Sequence, residues 1–283
     1  YITISDDSKT AWVTLQENNA IAEVDIIGGT VKKIMPLGFK NYGTAGNEID
    51  PSDRDSKIEF STLYNKVFGM YLPDAISQYT YNGVPYLFTA NEGDSREYAG
   101  FNEMRRVGSS SHILDPTAFP NAATLKTDAQ LGRLNTTTTL GDTDGDGDFD
   151  AIYSLGSRSF SVWNAVTGEQ VYDSKNELDR KALELQVYDD GRSDDKAVEP
   201  EAITIGRVGS KQIAIVGLER ADAFAIYDIT TPTAPVFIKM YKTGDAPEGI
   251  IFIPASKSPI NQSLIVISSE NDGLVKIYKS TKL

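Results

Sequence analysis

The chain has 283 residues, 40% of them hydrophobic and 24% charged, a make-up that fits a folded globular protein and excludes a collagen, a coiled coil or a disordered tail. Its 27 basic residues against 40 acidic ones leave a formal net charge of −13, which repels a phosphate backbone and argues against nucleic acid as a partner. The absence of cysteine and the presence of a single histidine, His112, remove disulfides, thiolate chemistry and histidine-rich metal sites and leave oxygen chemistry.

In chain order, short apolar or alternating runs rich in Val, Ile, Tyr, Phe and Thr predict strands at 11–15, 22–26, 86–90, 151–155, 213–218, 224–229, 264–268 and 274–278. No run approaches the ~18 apolar residues that a membrane-spanning helix needs. Asn18-Asn19 and Asn271-Asp272-Gly273 supply residues that tolerate positive φ, as tight hairpin turns require. Helical spacing is confined to 178–187, where Leu178, Leu183, Leu185 and Val187 predict one short helix or a loop. Stretches near 36–68, 97–140 and 173–197 lack the strand rhythm and read as insertions.

Three segments begin alike: Pro73-Asp74-Ala75-Ile76, Pro200-Glu201-Ala202-Ile203 and Pro247-Glu248-Gly249-Ile250. Each is followed by a strand, a turn and a second strand that closes in a polar cluster, Asn91-Glu92-Gly93-Asp94, Leu218-Glu219-Arg220 or Ser269-Glu270-Asn271. The opening segment, with Gln16-Glu17-Asn18-Asn19 between its strands, repeats the phrase. Four short strands every ~40 to 50 residues is the period of a β-propeller blade. The expectation is an all-β fold in which residues 1–283 form a single β-propeller domain of four-stranded blades, with units centred near residues 15, 85, 155, 215 and 265. Tyr1 falls within a strand pattern, so these units are expected to be the C-terminal four to five blades, roughly, of a larger propeller of about seven.

The sharpest local motif is Gly141-Asp142-Thr143-Asp144-Gly145-Asp146-Gly147-Asp148-Phe149-Asp150. Asp142, Asp144, Asp146 and Asp150 stand at the first, third, fifth and ninth places of D-x-D-x-D-G-x-x-D, with Gly147 at the turn. Ca²⁺ seeks about six to eight oxygens, and alternate carboxylates on a tight loop converge on one point. Asp148 is expected to contribute its backbone carbonyl. Tyr153 stands where an EF-hand would place its bidentate acid, and a strand follows, so the loop reads as a calcium hairpin of the kind found in propeller repeats.

Several separated phrases also resemble the choice-of-anchor I family: Thr14-Leu15-Gln16-Glu17-Asn18-Asn19-Ala20-Ile21, Thr89-Ala90-Asn91-Glu92-Gly93-Asp94-Ser95-Arg96, the 141–150 loop with Ser157-Arg158-Ser159-Phe160-Ser161-Val162-Trp163, and Val216-Gly217-Leu218-Glu219-Arg220. The resemblance runs from Tyr1 to about Tyr278. It implies a bacterial surface or secreted β-propeller; some members are labelled alkaline phosphatase-like or mesenchyme-specific cell-surface glycoprotein-like. No catalytic set comes with it.

Beyond calcium, Glu92, Asp94, Arg96, Glu201, Glu219, Arg220 and Glu248 recur at strand ends and, if the repeats superimpose, gather round one mouth of a central channel. They either bind a cation, sugar or acidic ligand there or hold neighbouring sheets together. His112 is expected on a surface loop, the acidic run Asp50-Pro51-Ser52-Asp53-Arg54-Asp55 in a charge-rich turn, and Trp163 and Tyr172 between sheets. The leading expectation is a secreted or cell-surface calcium-binding module for an extracellular protein or surface polymer. The rival is a calcium-dependent phosphohydrolase, in which Arg96, Arg158 and Arg220 would have to converge on phosphoryl oxygens.

Overall fold

A computed structural model describes residues 1–280. Strands β1 (Ile2–Ile4), β2 (Thr10–Leu15), β3 (Ala20–Asp25) and β4 (Thr30–Pro36) form an antiparallel meander in that order. The strand pattern that follows Tyr1 is β1, the outer strand of this four-stranded sheet. Asn19, at φ +50°, makes the turn between β2 and β3 that its side chain tolerates. Next come β5 (Phe39–Asn41), β6 (Val67–Met70), β7 (Ile76–Tyr81) and β8 (Val84–Ala90). They are followed by the small hairpin β9 (Glu97–Tyr98) and β10 (Phe101–Asn102), then β11 (Met104–Arg106), helix α1 (Ala122–Leu125), β12 (Asn135–Thr137) and β13 (Ile152–Ser154).

Here the structure departs from the repeat count. Strand β14 (Phe160–Asn164) pairs with β8, and β15 (Gln170–Asp173) with β14, giving one sheet in the order β15-β14-β8-β7. The units expected near 85 and 155 are thus not two blades. The first is half of this sheet, and the 151–155 strand, β13, belongs elsewhere. Two of the insertions fold together around it as a five-stranded sheet, β11-β12-β13-β6-β5, in which β13 and β6 run parallel. This sheet has its own core of Tyr42, Ile49, Val67, Val107, Leu131, Leu134, Phe149 and Ile152.

Helix α2 (Glu177–Leu185) occupies the third insertion, where its Leu178 and Ala182 are buried. After it, β16 (Pro200–Val208), β17 (Lys211–Leu218), β18 (Ala223–Asp228) and β19 (Val236–Lys242) form another four-stranded meander, and β20 (Pro247–Ile253), β21 (Leu264–Ser269) and β22 (Val275–Lys279) a three-stranded one.

The run 213–218 is apolar throughout because β17 is covered on both faces, as a doubly buried strand must be. Ile213 and Ile215 pack with Phe224, Ile250 and Ile267, while Ala214, Val216 and Leu218 pack with Phe88, Phe160 and Tyr227 on the other side. Each such aliphatic side chain contributes about 1.5–3 kcal/mol by leaving water. Gly206 of β16 lies under the Phe252 ring, where a Cβ would stand 2.3 Å from two ring atoms, so two sheets interlock there only because the side chain is missing. The first strands of successive meanders, β1, β7, β16 and β20, stand side by side in that order. Among the described residues no helix is long and apolar enough to cross a membrane.

Candidate functional site

The same end of the β7–β8, β16–β17 and β20–β21 hairpins carries an acid on the way in and another on the way out. Leu72, Glu199 and Ala246 all adopt left-handed backbone (φ +43°, +48° and +55°) directly before a proline, a conformation that L-residues preceding proline ordinarily avoid. The residue after each proline is Asp74, Glu201 or Glu248. The exits from β8, β17 and β21 deliver Glu92, Glu219 and Glu270, fixed by Gly93 N–H to Leu72 O (3.1 Å), Glu219 N–H to Glu199 O (2.9 Å) and Glu270 N–H to Ala246 O (2.8 Å).

Because the first strands are neighbours, these carboxylates converge. Oxygens of Asp74, Glu92 and Glu201 lie within 4.8 Å of one another, as do those of Glu92, Glu199 and Glu219, and those of Glu219, Glu248 and Glu270. Lys196 reaches in from the loop after α2, its Nζ 2.8 Å from Glu92, 2.6 Å from Asp94 and 3.4 Å from Glu199. Arg220 pairs with Glu199 at 3.2 Å and with Glu219 at 3.0 Å. Gln16 Nε2 donates to Glu92 Oε2 at 2.6 Å, tying the first meander to the second.

Negative charge exceeds positive here, and the protonation equilibria record it. Burial, with the carboxylates of Glu92, Asp74, Glu248 and Glu219 around it, pushes Glu201 up to about 10. Burial raises Glu92 to about 7 against the pull of Lys196, and burial together with Glu199 raises Glu219 to about 7. Asp94, which burial would raise, is held below the usual range by Lys196. Burial draws the Lys196 ammonium down, but Glu199, Glu92 and Asp94 outweigh it and keep the charge on.

Of the seven residues expected at this mouth, the structure brings together Glu92, Asp94, Glu201, Glu219, Arg220 and Glu248. Arg96 is not among them: its guanidinium forms a two-pronged bond to Glu103 (3.0 and 2.9 Å), whose carboxyl is held down at about 2 by Arg96 and Thr137 in spite of burial. Asp74, Lys196, Glu199 and Glu270 complete the cluster. Asp74 was visible in the Pro-acid repeat, whereas Lys196 and Glu199 lie in a segment without repeats and carried no signal.

The aspartate loop spans the hairpin between β12 and β13, on the five-stranded sheet. Asp142 accepts bonds from the Gly145 amide (2.7 Å) and the Gly147 amide (3.1 Å), the latter glycine at φ +100°. Asp150 accepts from the amide and hydroxyl of Thr143 (2.8 and 2.5 Å). Oxygens of Asp142, Asp144 and Asp150 lie within 4.8 Å of one another, a spacing and an all-oxygen donor set that suit a hard divalent cation. Asp146 raises the carboxyl of Asp144 by repulsion. The side chain of Asp148 groups with those of Asp115 and Asp150. Asp146 accepts from the Asp148 amide at 3.2 Å and stands outside both groups.

Phe149, between these aspartates, turns inward and stacks on His112 with ring centroids 4.1 Å apart. The expectation of a surface histidine is therefore wrong. His112 is 0% exposed, and burial, with Lys126 and Arg105 nearby, lowers it to about 4. Arg158 is buried too, donating to the carbonyls of Asp50 (2.7 Å) and Ser193 (2.6 Å). The 50–55 run is only partly a solvated turn, since Asp50 and Ser52 are buried and Asp53 pairs with Arg133 at 2.7 Å. Trp163 is buried against Tyr71 and donates to Thr89 Oγ1 at 3.0 Å, and Tyr172 packs on Phe160.

The model of the choice-of-anchor I domain matches residues 1–232. The chain belongs to that family. It is also similar to Gigasin-3a of Magallana gigas, 29% identical over 185 residues, an alignment that takes in 53% of the chain and 65% of that protein. Among solved structures, a functionally unknown protein from Desulfotomaculum acetoxidans DSM 771 aligns over 98% of the chain and 67% of its own length, with 10% identity and a TM-score of 0.35. The β-propeller domain of Cps50 (Swd1) from Myceliophteria thermophila aligns over 99% of the chain and 69% of its own, with 9% identity and the same TM-score of 0.35. Superpositions that loose add nothing to the fold beyond the strand pairings themselves.

Proposed function

We propose that this chain is a calcium-binding β-propeller module of an extracellular or cell-surface protein, in which its meanders serve as blades and which binds or scaffolds a surface polymer or protein. The observation that carries the reading is the aspartate loop: three carboxylates within 4.8 Å, two backbone amides fixing Asp142, and no opposing lysine or arginine in contact with Asp142 or Asp144 among the described residues. Asp142, Asp144 and Asp150 would hold the ion, which would neutralise their mutual repulsion and pin the β12–β13 hairpin. Family membership supports the surface location.

Melting the protein in EDTA and in millimolar calcium tests this reading. Calcium is expected to raise the melting temperature of the parent by more than that of Asp144→Asn; superimposed parent curves would overturn the proposal. The phosphohydrolase reading has less support, because the three arginines it needs are committed apart: Arg96 to Glu103, Arg158 to buried carbonyls and Arg220 to Glu199 and Glu219. Turnover of p-nitrophenyl phosphate or phytate with calcium, lost on Asp144→Asn, would restore it.

A further inference from the structure

The four sheets whose first strands are β1, β7, β16 and β20 stand in a row, and the junctions inside it are apolar face on apolar face. Trp12, Ile21 and Met35 of the first sheet meet Leu87 and Trp163 of the second, and Ile250 and Ile267 of the last meet Ile213 and Phe224 of the third. The two ends of the row have the same character. Residues paired directly across strands share a face, so the far side of the first sheet follows from its register. Ile2, Val13, Ala22 and Ile34 form one row there, with Ile4 and Val31 in the next. Ile2, Ile4, Val31 and Ile34 are 50–61% exposed. On the far side of the last sheet Ile251, Val266 and Ile277 form a row beside Val275, and Ile251, Val275 and Ile277 are 57–64% exposed. An antiparallel sheet with one face in water carries polar residues on that face. These two carry aliphatic rows across their strands, as a sheet packed on both sides does, and contiguous apolar patches of that kind mark contact surfaces.

The packing inside the row also says what fits. The far side of the last sheet is the side on which a following sheet would stand, and the far side of the first is the side on which a preceding one would stand. They are the two halves of the junction the chain already makes between its own sheets. Setting one on the other continues that step, with β20 beside β1 as β16 stands beside β7. Like faces set together would reverse it. Two copies joined in this way at both ends form a closed head-to-tail pair, and four sheets from each make a ring within the range of about four to eight that propellers hold.

We propose that the far faces of the first and last sheets are the two sides of one interface, through which a second copy of this chain closes the ring; this rests on the reading of the meanders as blades.

Sedimentation equilibrium on the 283-residue chain tests it, in calcium and in EDTA, since neither face includes the aspartate loop. The parent should run at twice the chain mass in both buffers. Ile34→Glu on the first sheet and Ile277→Glu on the last should each give a folded monomer, because both side chains stand mostly in water in the single copy. Should either fail to fold, Val31→Lys or Val275→Lys takes its place. A monomeric parent would mean that some other sheet covers these faces, a variant that stays dimeric would mean that like faces meet, and species larger than the dimer would mean that the step does not close in two; each overturns the proposal. Failure of the calcium reading looks different: the parent's melting curves would superimpose while its mass stayed doubled.

Discussion

The aspartate loop and the acidic rim put similar side chains to opposite regimes. The loop draws five carboxylates from nine consecutive positions, leaves most of them in water and restrains them with its own backbone amides. The rim draws its carboxylates from six separate strand ends and buries Glu92, Glu199, Glu201 and Glu219 almost completely. In the loop, water screens the repulsion and each charge costs little; in the rim, burial does most to raise Glu92, Glu201 and Glu219, and cations must offset it. A local acidic motif is thus cheap to maintain, and a dispersed buried one persists only with built-in counter-charge.

The comparison breaks most visibly at Lys196. Lys196→Met removes the ammonium from Glu92, Asp94 and Glu199 together. It should cost about 3–5 kcal/mol in EDTA, the usual penalty for stranding a buried charge, read as a fall in melting temperature of roughly 10 °C. A fall of only a degree or two would mean that the rim is as well solvated as the loop.

A second buried acid sharpens the point in the opposite direction. Asp179 lies on the buried face of α2, and neither of its oxygens has a hydrogen-bond partner. Burial pushes its carboxyl up to about 6 from an ordinary 3.8, despite Arg158 and Lys40 nearby. The folded chain therefore holds this proton more tightly than the unfolded one. Its contribution to stability is full below the unfolded value and is lost as pH rises through the folded one. Asp179→Asn should flatten urea stability between pH 4 and 6 and gain up to about 3 kcal/mol at pH 7.5. If the variant is weaker at every pH, Asp179 serves as the counter-ion of Arg158 instead.

The loop should respond next. At free calcium one hundred times the dissociation constant the parent should gain ~2.7 kcal/mol, and Asp142→Asn, which disturbs the acceptor of two amides, should forfeit most of it. Smallest is Arg54→Ala, which breaks an exposed pair with Asp128 at 3.2 Å and should change stability by less than about 0.5 kcal/mol in chemical denaturation.

The sequence by itself determined what depends on near neighbours. Alternation and doubly apolar runs marked the strands, because a strand's two faces are written at a period of two. Asn19 marked its turn, the aspartates and Gly147 marked a loop that could suit calcium, and the Pro-acid phrase marked equivalent positions in three meanders. Only the tertiary structure decided the rest. That β8, ending at Ala90, should pair with β14, starting at Phe160, and that the intervening chain should build a sheet of its own, depends on total burial across distant segments, which no local period encodes. His112 went inside because Phe149 offered it a face, and Lys196 reached the rim because the helix-bearing insertion folded back over it. Charge partners in a buried site are chosen by three-dimensional proximity, where desolvation makes each pairing decisive, and proximity is what a linear sequence leaves open.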